Sequence, residues 1–304
     1  MAQQPPIDAE STPMDRRKLI HVLSERESSV PVSPLSKVWA FVVRDTRVWW
    51  TYKLWVTLDV TGTVTFVATY YLVSMIVSSE QVAQAGYTLG GYFSFAMIGI
   101  AFQQYVFFAV QGISESIREE QWHGTMESIL ASATSFKLFL FGESAFRFII
   151  ASYFLLGSLV TGLALGAQIH LDAAILASTV LLTALLVGSH VCVGIMSAGV
   201  IMKIKQGDPV VWAFSWMTQL VSGVFYPLGL LPWYLRWIGL AFPLTPALDG
   251  IRRCLQGGET LLSSAVLTDA LSLVVFTAVA FPIAFWVFKL GYNSSRSDGS
   301  LSQY

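Results

Sequence analysis

The sequence has little charge and few cysteines for its length. Only 12% of its 304 residues are charged, whereas soluble domains carry about 25%. That is too little polar side chain to cover a water-facing surface, so we expect lipid to cover much of the protein. Two cysteines argue against a disulfide framework. The net charge of −1 gives no indication of a nucleic-acid partner.

Three kinds of motif are also missing. The dipeptide Gly-Lys does not occur, so the sequence contains no phosphate-cradling P-loop. The zinc-binding pattern His-Glu-x-x-His is absent, and we interpret His123 and Glu127, four residues apart, as helix surface rather than metal ligands. No Ser, His and Asp set shows a catalytic spacing. The sequence therefore predicts no catalytic residue and no metal site.

Long apolar runs occupy most of the chain. A membrane-spanning helix needs about 20 mostly apolar residues, and six runs are long enough: 54–77, 89–113, 141–166, 173–201, 210–227 and 268–288. We predict an all-α integral membrane protein with six transmembrane helices over residues 54–290. An N-terminal amphipathic interfacial helix precedes them, and a re-entrant broken-helix region precedes the last span.

The segments outside the spans differ in composition. Residues 1–33 are rich in Pro, Ser and charge, which predicts a disordered arm. Residues 34–53 place apolar and Trp side chains on one helical face, which predicts a helix in the headgroup layer. The alternative is that this helix is the start of the first span, extended into water. Residues 291–304 form a short polar tail.

The region over 225–258 is apolar but interrupted by proline. Because proline removes a donor and clashes with the preceding turn, this region cannot form one straight span. We predict short helices that enter the membrane and return, buried in protein or lining a cavity. The interrupting residues are Pro227, Pro232, Pro243 and Pro246.

Lys and Arg residues predict the orientation. Eight of them precede the first span, and others flank residues 115–135 or follow the fourth and sixth spans. With six spans these residues all fall on one side, which the positive-inside rule assigns to the cytoplasm. We expect a multi-pass protein of the plasma or inner membrane with both termini cytoplasmic.

The segment at 115–135 is charged and amphipathic, and it lies between the second and third spans. Its sequence "EQWHGTMESIL", from Glu120 to Leu130, resembles the coupling segment of ABC-2 type transporter permeases. Gln121 and Ala133 stand where that family has Arg and Pro. The aromatic and proline-rich sequence from Gly223 to Arg252 also resembles this family, and the resemblance covers roughly residues 35–290.

The resemblance implies a mechanism. A cytoplasmic coupling helix would dock into a separate ATP-binding subunit, which binds ATP and Mg, so this chain would be a transport subunit rather than an enzyme, with no cofactor of its own. The permease would pair with itself or with a similar permease. The residues implied in coupling are Glu119, Glu120, Trp122, Gly124, Thr125, Met126, Glu127, Ile129 and Leu130.

Two further groups of residues are functional candidates. The aromatic region before the last span is a candidate outer gate, which would close by steric block and dewetting. Its residues are Phe225, Tyr226, Pro227, Trp233 and Arg236. The ionisable residues in or near the spans are Asp59, Arg147 and His190. We favour an ion pair of Asp59 with Lys53, Arg147 or Lys203, and a neutral His190 bonded to a backbone carbonyl.

The predicted function is outward export of an amphipathic substrate, either a drug or a lipid, because the interior that the spans would form is apolar. Export of a polysaccharide or teichoic acid remains an alternative. A proton-driven secondary transporter needs carboxylates near the bilayer midplane, and only Asp59, off centre, is available. A membrane-embedded enzyme would need a converging catalytic set, which the sequence does not show.

Overall fold

The computed structural model describes residues 33–87, 89–122, 124, 136–204 and 209–297. Every regular element within these ranges is helical. The α-helices are α1 Pro34–Thr51, α2 Lys53–Ser74, α3 Glu80–Gln84, α4 Gly91–Trp122, α5 Phe136–Ala164, α6 Ala173–Ile204, α7 Pro209–Val221, α8 Trp233–Leu240, α9 Leu244–Leu255 and α10 Ser264–Ser297. The predicted disordered arm falls, except for Ser33, outside the described residues. Residues 291–297, predicted as tail, continue α10.

Five of these helices are long and apolar enough to cross a membrane. They are α2, α4, α5, α6 and α10, and they correspond to the first four predicted spans and the last. Because each helix satisfies its backbone groups internally, such segments are compatible with lipid. The prediction of an all-α integral membrane protein is confirmed.

The predicted fifth span, 210–227, has a different structure. Helix α7 has 13 residues, or about 20 Å at 1.5 Å per residue, which is shorter than the bilayer core of about 30 Å. It ends at Val221, and residues 222–227 form a non-helical turn before a 3-10 turn at Leu228–Leu230. The number of six transmembrane helices therefore remains a prediction.

Helix α4 is the centre of the bundle. In an 18-residue apolar window of α4, 82% of the residues are buried, against 6% in the corresponding window of α2. Helices α5 and α6 both pack on α4, and α10 packs along α6. The buried side chains of α4 include Phe95, Ile98 and Phe102, each with at most 1% of its surface exposed.

The bundle has two distinct ends. We call the end where α4 finishes and α5 begins the basic end, because Arg44, Arg118 and Arg147 lie there. We call the opposite end the capped end, because the short helices α3, α8 and α9 cover it. Helix α9 belongs to the core there, with Leu244, Leu248 and Ile251 fully buried.

The predicted amphipathic helix is present as α1. Ser33 caps its N-terminus by accepting a hydrogen bond from the Ser36 amide. The helix ends at Thr51, and α2 begins at Lys53, so α1 is not a straight extension of the first span. Helix α1 packs on α5, and the Arg44 guanidinium donates to the Glu143 carboxylate at 2.5 Å. Several of its large apolar side chains, including Trp39 and Trp50, are exposed.

Candidate functional site

The turn between α7 and the 3-10 turn contains the first part of the predicted gate. Phe225 stacks on Tyr70 of α2, with ring centroids 5.7 Å apart and ring planes 12° apart. The Tyr226 hydroxyl donates a hydrogen bond back to the Leu220 carbonyl at the end of α7. Pro227 is buried. The turn is thus fixed to α2 on one side and to α7 on the other.

Arg252 of α9 clamps this turn to the central helix. Its Nη1 donates to the Gly223 carbonyl at 2.7 Å, and its Nη2 donates to the Val224 and Phe95 carbonyls at 2.9 and 3.1 Å. The guanidinium carbon lies 3.5 Å from the centroid of the Phe95 ring. One side chain therefore joins α9, the turn and α4.

The clamp uses a buried charge that no carboxylate of the described residues contacts. Arg252 is only 3% exposed, and burial lowers the pKa of Arg252 to about 10, so the guanidinium is still charged at neutral pH. Three carbonyl dipoles and the face of Phe95 replace its lost hydration. Gly99 makes the close approach possible, because a Cβ there would lie 2.2 Å from the Val224 oxygen and 2.3 Å from Arg252 Nη2.

The remaining predicted gate residues lie apart from the turn. Trp233 begins α8 and is 75% exposed, in contact with the neighbouring Tyr234 ring. Arg236 is exposed on the same helix and faces a cavity that it shares with Pro227. The structure therefore brings Phe225, Tyr226 and Pro227 together and leaves Trp233 outside this group.

A polar cavity of about 530 Å³ lies beside the clamp at the capped end. Arg253 lines this cavity together with Asp249 and Asp269. Its Nη2 is 3.0 Å from Asp249 and its Nε is 3.8 Å from Asp269, while its Nη1 is 3.8 Å from Glu259. The Tyr87 hydroxyl donates to Asp249. Burial, together with Asp249, raises the pKa of Tyr87, so its hydroxyl stays protonated and keeps donating at neutral pH.

Sequence reasoning did not identify this polar group or the clamp. The one local signal was Asp249 four residues before Arg253, a spacing that places both on one helical face. The sequence predicts no role for Arg252 or Arg253. Their partners come from positions as distant as Phe95 and Asp269, and no pattern in the sequence connects those positions.

The basic end carries the described part of the predicted coupling segment. Arg147 of α5 donates from Nη2 to both carboxylate oxygens of Glu119, each at 2.9 Å, and its Nη1 lies 3.9 Å from Glu115. Glu119 and Glu120 belong to the last turn of α4, which ends at Trp122. The last turn of α4 is thus fixed to α5.

Gly124 lies two residues after the end of α4, within the segment predicted as a coupling helix. Its φ of +67° is a left-handed conformation that ends α-helices and that favours glycine. A Cβ at this position would meet no heavy atom within 4 Å, so backbone conformation rather than packing explains the glycine. The other implied coupling residues, Thr125, Met126, Glu127, Ile129 and Leu130, lie outside the described residues.

The predicted ion pair of Asp59 is wrong for two of its three candidates. Among the described residues Asp59 forms no ion pair. Lys53 is six residues earlier on α2, about 240° around the helix, and Arg147 is already bound to Glu119 and Glu115. The side chain of the third candidate, Lys203, lies outside what the structure describes.

His190 has the surroundings of a structural histidine. It is 1% exposed on α6, and its Nδ1 lies 2.9 Å from the Leu186 carbonyl one turn earlier. Its ring meets Phe214 of α7 edge to face at 5.6 Å. Its Nε2 has no hydrogen-bond partner in the described part of the chain. No carboxylate contacts the ring in the part of the chain that the structure describes.

These features define a multi-pass helical membrane protein with a clamped turn at one end and a charged helix connection at the other. A model of the ABC-2 type transporter family matches residues 36–255, more than two thirds of the chain. The chain therefore belongs to the ABC-2 type transporter family. A search of curated proteins finds no match to this chain.

Proposed function

We propose that this chain is the membrane subunit of an ATP-driven exporter that moves an amphipathic substrate, a drug or a lipid, out of the cell. The observation that carries the proposal is the family match over 36–255, because permeases of this family generally work with an ATP-binding subunit. The five apolar helices supply the transmembrane part.

The charge distribution supports a cytoplasmic basic end. Arg118 and Arg147 lie there, and so do the basic residues of α1. Short segments rich in Lys and Arg stay in the cytoplasm. On this orientation both termini are cytoplasmic in the plasma or inner membrane, and the clamped turn with Phe225 and Tyr226 faces the exterior.

The connection between α4 and α5 would receive the ATP-binding subunit. Helix α4 ends at Trp122, next to this connection, and the Arg147–Glu119 pair ties the end of α4 to α5. A push on this connection would therefore reach both helices. ATP and Mg would be bound by the partner, since the sequence has no Gly-Lys from which to build a P-loop.

The exposure of α2 supports assembly with a second permease. Only 6% of its span is buried, and polar Thr57, Thr61 and Thr65 lie on its surface. Small and polar residues are enriched where transmembrane helices pack together. A second copy of this chain, or a similar permease, would cover this helix.

Export can be tested in vesicles that contain the chain and its ATP-binding subunit. We expect ATP-dependent movement of an amphipathic fluorescent substrate, with no movement when the P-loop lysine of the partner is changed to alanine. Movement driven by a proton gradient without ATP would contradict the proposal and favour a secondary transporter. Movement of only a polysaccharide substrate would contradict the assignment of an amphipathic drug or lipid.

A further inference from the structure

A second cavity, of about 670 Å³, lies between α4, α5 and α6. Helices α5 and α6 follow each other in sequence and both pack on α4, yet within the described residues they make little contact with each other. The resulting gap is bounded by exposed apolar side chains, including Leu156, Val160 and Val180. Its inner wall is formed by buried residues of α4 and by Leu255 of α9.

The cavity is long and its two ends differ in chemistry. One end, which we call the aliphatic end, reaches the loop before α6 at the capped end and is lined by Ile169, Leu171 and Leu176. The other end, which we call the aromatic end, is lined by three rings: Phe102 and Tyr105 of α4, and Phe148 of α5. Tyr105 is 14 residues after Gly91, about 21 Å along α4, which is past the middle of its apolar segment.

Tyr105 supplies a hydroxyl without a hydrogen-bond partner among the described residues at the aromatic end. It is 8% exposed, and its hydroxyl makes no hydrogen bond with the residues that the structure describes. The other two hydroxyl-bearing residues of the lining are satisfied by their own helix: Thr179 donates to Ile175 at 2.9 Å and Thr183 donates to Thr179 at 2.7 Å. A tyrosine in apolar surroundings usually has a hydrogen-bond partner. The Tyr105 hydroxyl oxygen is not among the fully enclosed polar atoms without a partner, so this free donor is accessible to a ligand.

We propose that this cavity binds the apolar body of an amphipathic small molecule whose aromatic part carries a hydrogen-bond acceptor for the Tyr105 hydroxyl. This inference rests on the proposed export of amphipathic substrates and assigns them a site. An acyl chain of a bilayer lipid would fill the aliphatic end equally well. It would leave the Tyr105 hydroxyl without a partner among hydrocarbon, which is unfavourable. A volume of 670 Å³ is within the range of small-molecule sites.

Photolabelling of the full-length chain in dioleoyl phosphatidylcholine vesicles tests this site. The probe is 4-octylbenzophenone, which combines an aliphatic tail, two rings, a ketone acceptor and a photoreactive centre. We expect cross-links to concentrate on the cavity faces of α5 and α6. Ala184→Trp places an indole in the cavity and should lower this labelling about tenfold. The matched control Ala278→Trp makes the same change on an exposed face of α10, outside the cavity lining, and should leave it unchanged.

The hydroxyl is tested separately with Tyr105→Phe, which keeps the ring and its packing. Loss of one hydrogen bond should weaken probe binding by about fivefold. A competitor with a methylene in place of the ketone, 4-octyldiphenylmethane, should compete equally with wild type and Tyr105→Phe. If Tyr105→Phe leaves probe binding unchanged, the assigned acceptor site is wrong.

Two other outcomes would overturn the site itself. Labelling spread evenly over α2 and α10 and unaffected by Ala184→Trp would show that the probe reports only bulk bilayer. Labelling that is present in detergent but lost in the lipid vesicles would show that a lipid chain occupies the cavity. Because the labelling needs no ATP-binding subunit, a chain that fails to export but still binds the probe refutes the exporter function alone.

Discussion

The replacement Arg252→Lys tests the clamp at the capped end. Lysine keeps the charge but concentrates it on one ammonium, whereas the guanidinium reaches Gly223 from Nη1 and Val224 and Phe95 from Nη2. At least one of these three hydrogen bonds should be lost. A hydrogen bond to a charged group contributes about 1.5–3 kcal/mol to stability. The contact with the Phe95 ring should also weaken, by about 1 kcal/mol. We expect a loss of about 2–4 kcal/mol in the free energy of unfolding.

Arg253→Lys is a matched control on the adjacent position of α9. Arg253 is 35% exposed and pairs with carboxylates rather than with buried carbonyls, so its replacement should cost about 1 kcal/mol or less. Unfolding by sodium dodecyl sulfate in mixed micelles, followed by tryptophan fluorescence, measures both variants. Equal losses for Arg252→Lys and Arg253→Lys would refute the argument that burial and the three carbonyls make Arg252 special.

Two further changes test close packing and the basic end. Gly99→Ala should lower the free energy of unfolding by about 1–3 kcal/mol, because the added Cβ meets Val224 and Arg252. The control is Gly188→Ala, where a Cβ meets nothing within 4 Å; it should leave the free energy of unfolding unchanged or raise it. The same unfolding assay measures both variants. Equal effects of Gly99→Ala and Gly188→Ala would contradict the close approach at Gly99. A double-mutant cycle of Arg147→Ala and Glu119→Ala should give a coupling energy of about 1 kcal/mol or less, because both groups are partly exposed. A value well above 2 kcal/mol would contradict this description of a solvated pair.

Most of the transmembrane architecture could be predicted from the sequence, because length and hydropathy alone determine whether a helix can span lipid. The spans now found as α2, α4, α5, α6 and α10 needed no long-range information. The helix in the fifth predicted span is shorter than the apolar run, because an apolar run indicates burial and does not by itself determine where a helix ends. Residues 222–227 are apolar enough for a span, but they form a turn that tertiary contacts with Tyr70 and Arg252 stabilise.

The candidate site could be predicted only in part. The prolines indicated a broken region, and three of them occupy or precede the starts of its short elements: Pro227, Pro232 and Pro243. The clamp could not be foreseen, because a buried arginine that is bound by carbonyls has no sequence signature. The pairing of Asp59 failed for a similar reason: proximity along the chain does not determine which charges face each other, and Arg147 found closer acids on α4.

The central claim is that a separate ATP-binding subunit drives this chain through the connection between α4 and α5. Trp122→Ala and Ile129→Ala would each truncate a large apolar side chain of that connection. If the side chain fills a groove on the partner, each change should weaken binding of the partner by about 2 kcal/mol or more. Glu120→Ala removes a charge that would form an exposed ion pair at the edge of the interface, and such a pair contributes about 1 kcal/mol or less to binding.

The most direct measurement is the number of substrate molecules transported per ATP hydrolysed, together with co-purification of the ATP-binding subunit. The account predicts that Trp122→Ala and Ile129→Ala lower this ratio or release the subunit, while Glu120→Ala has little effect. If Trp122→Ala and Ile129→Ala leave both the ratio and the co-purification at wild-type levels, the connection does not couple ATP hydrolysis to transport and the central claim is wrong.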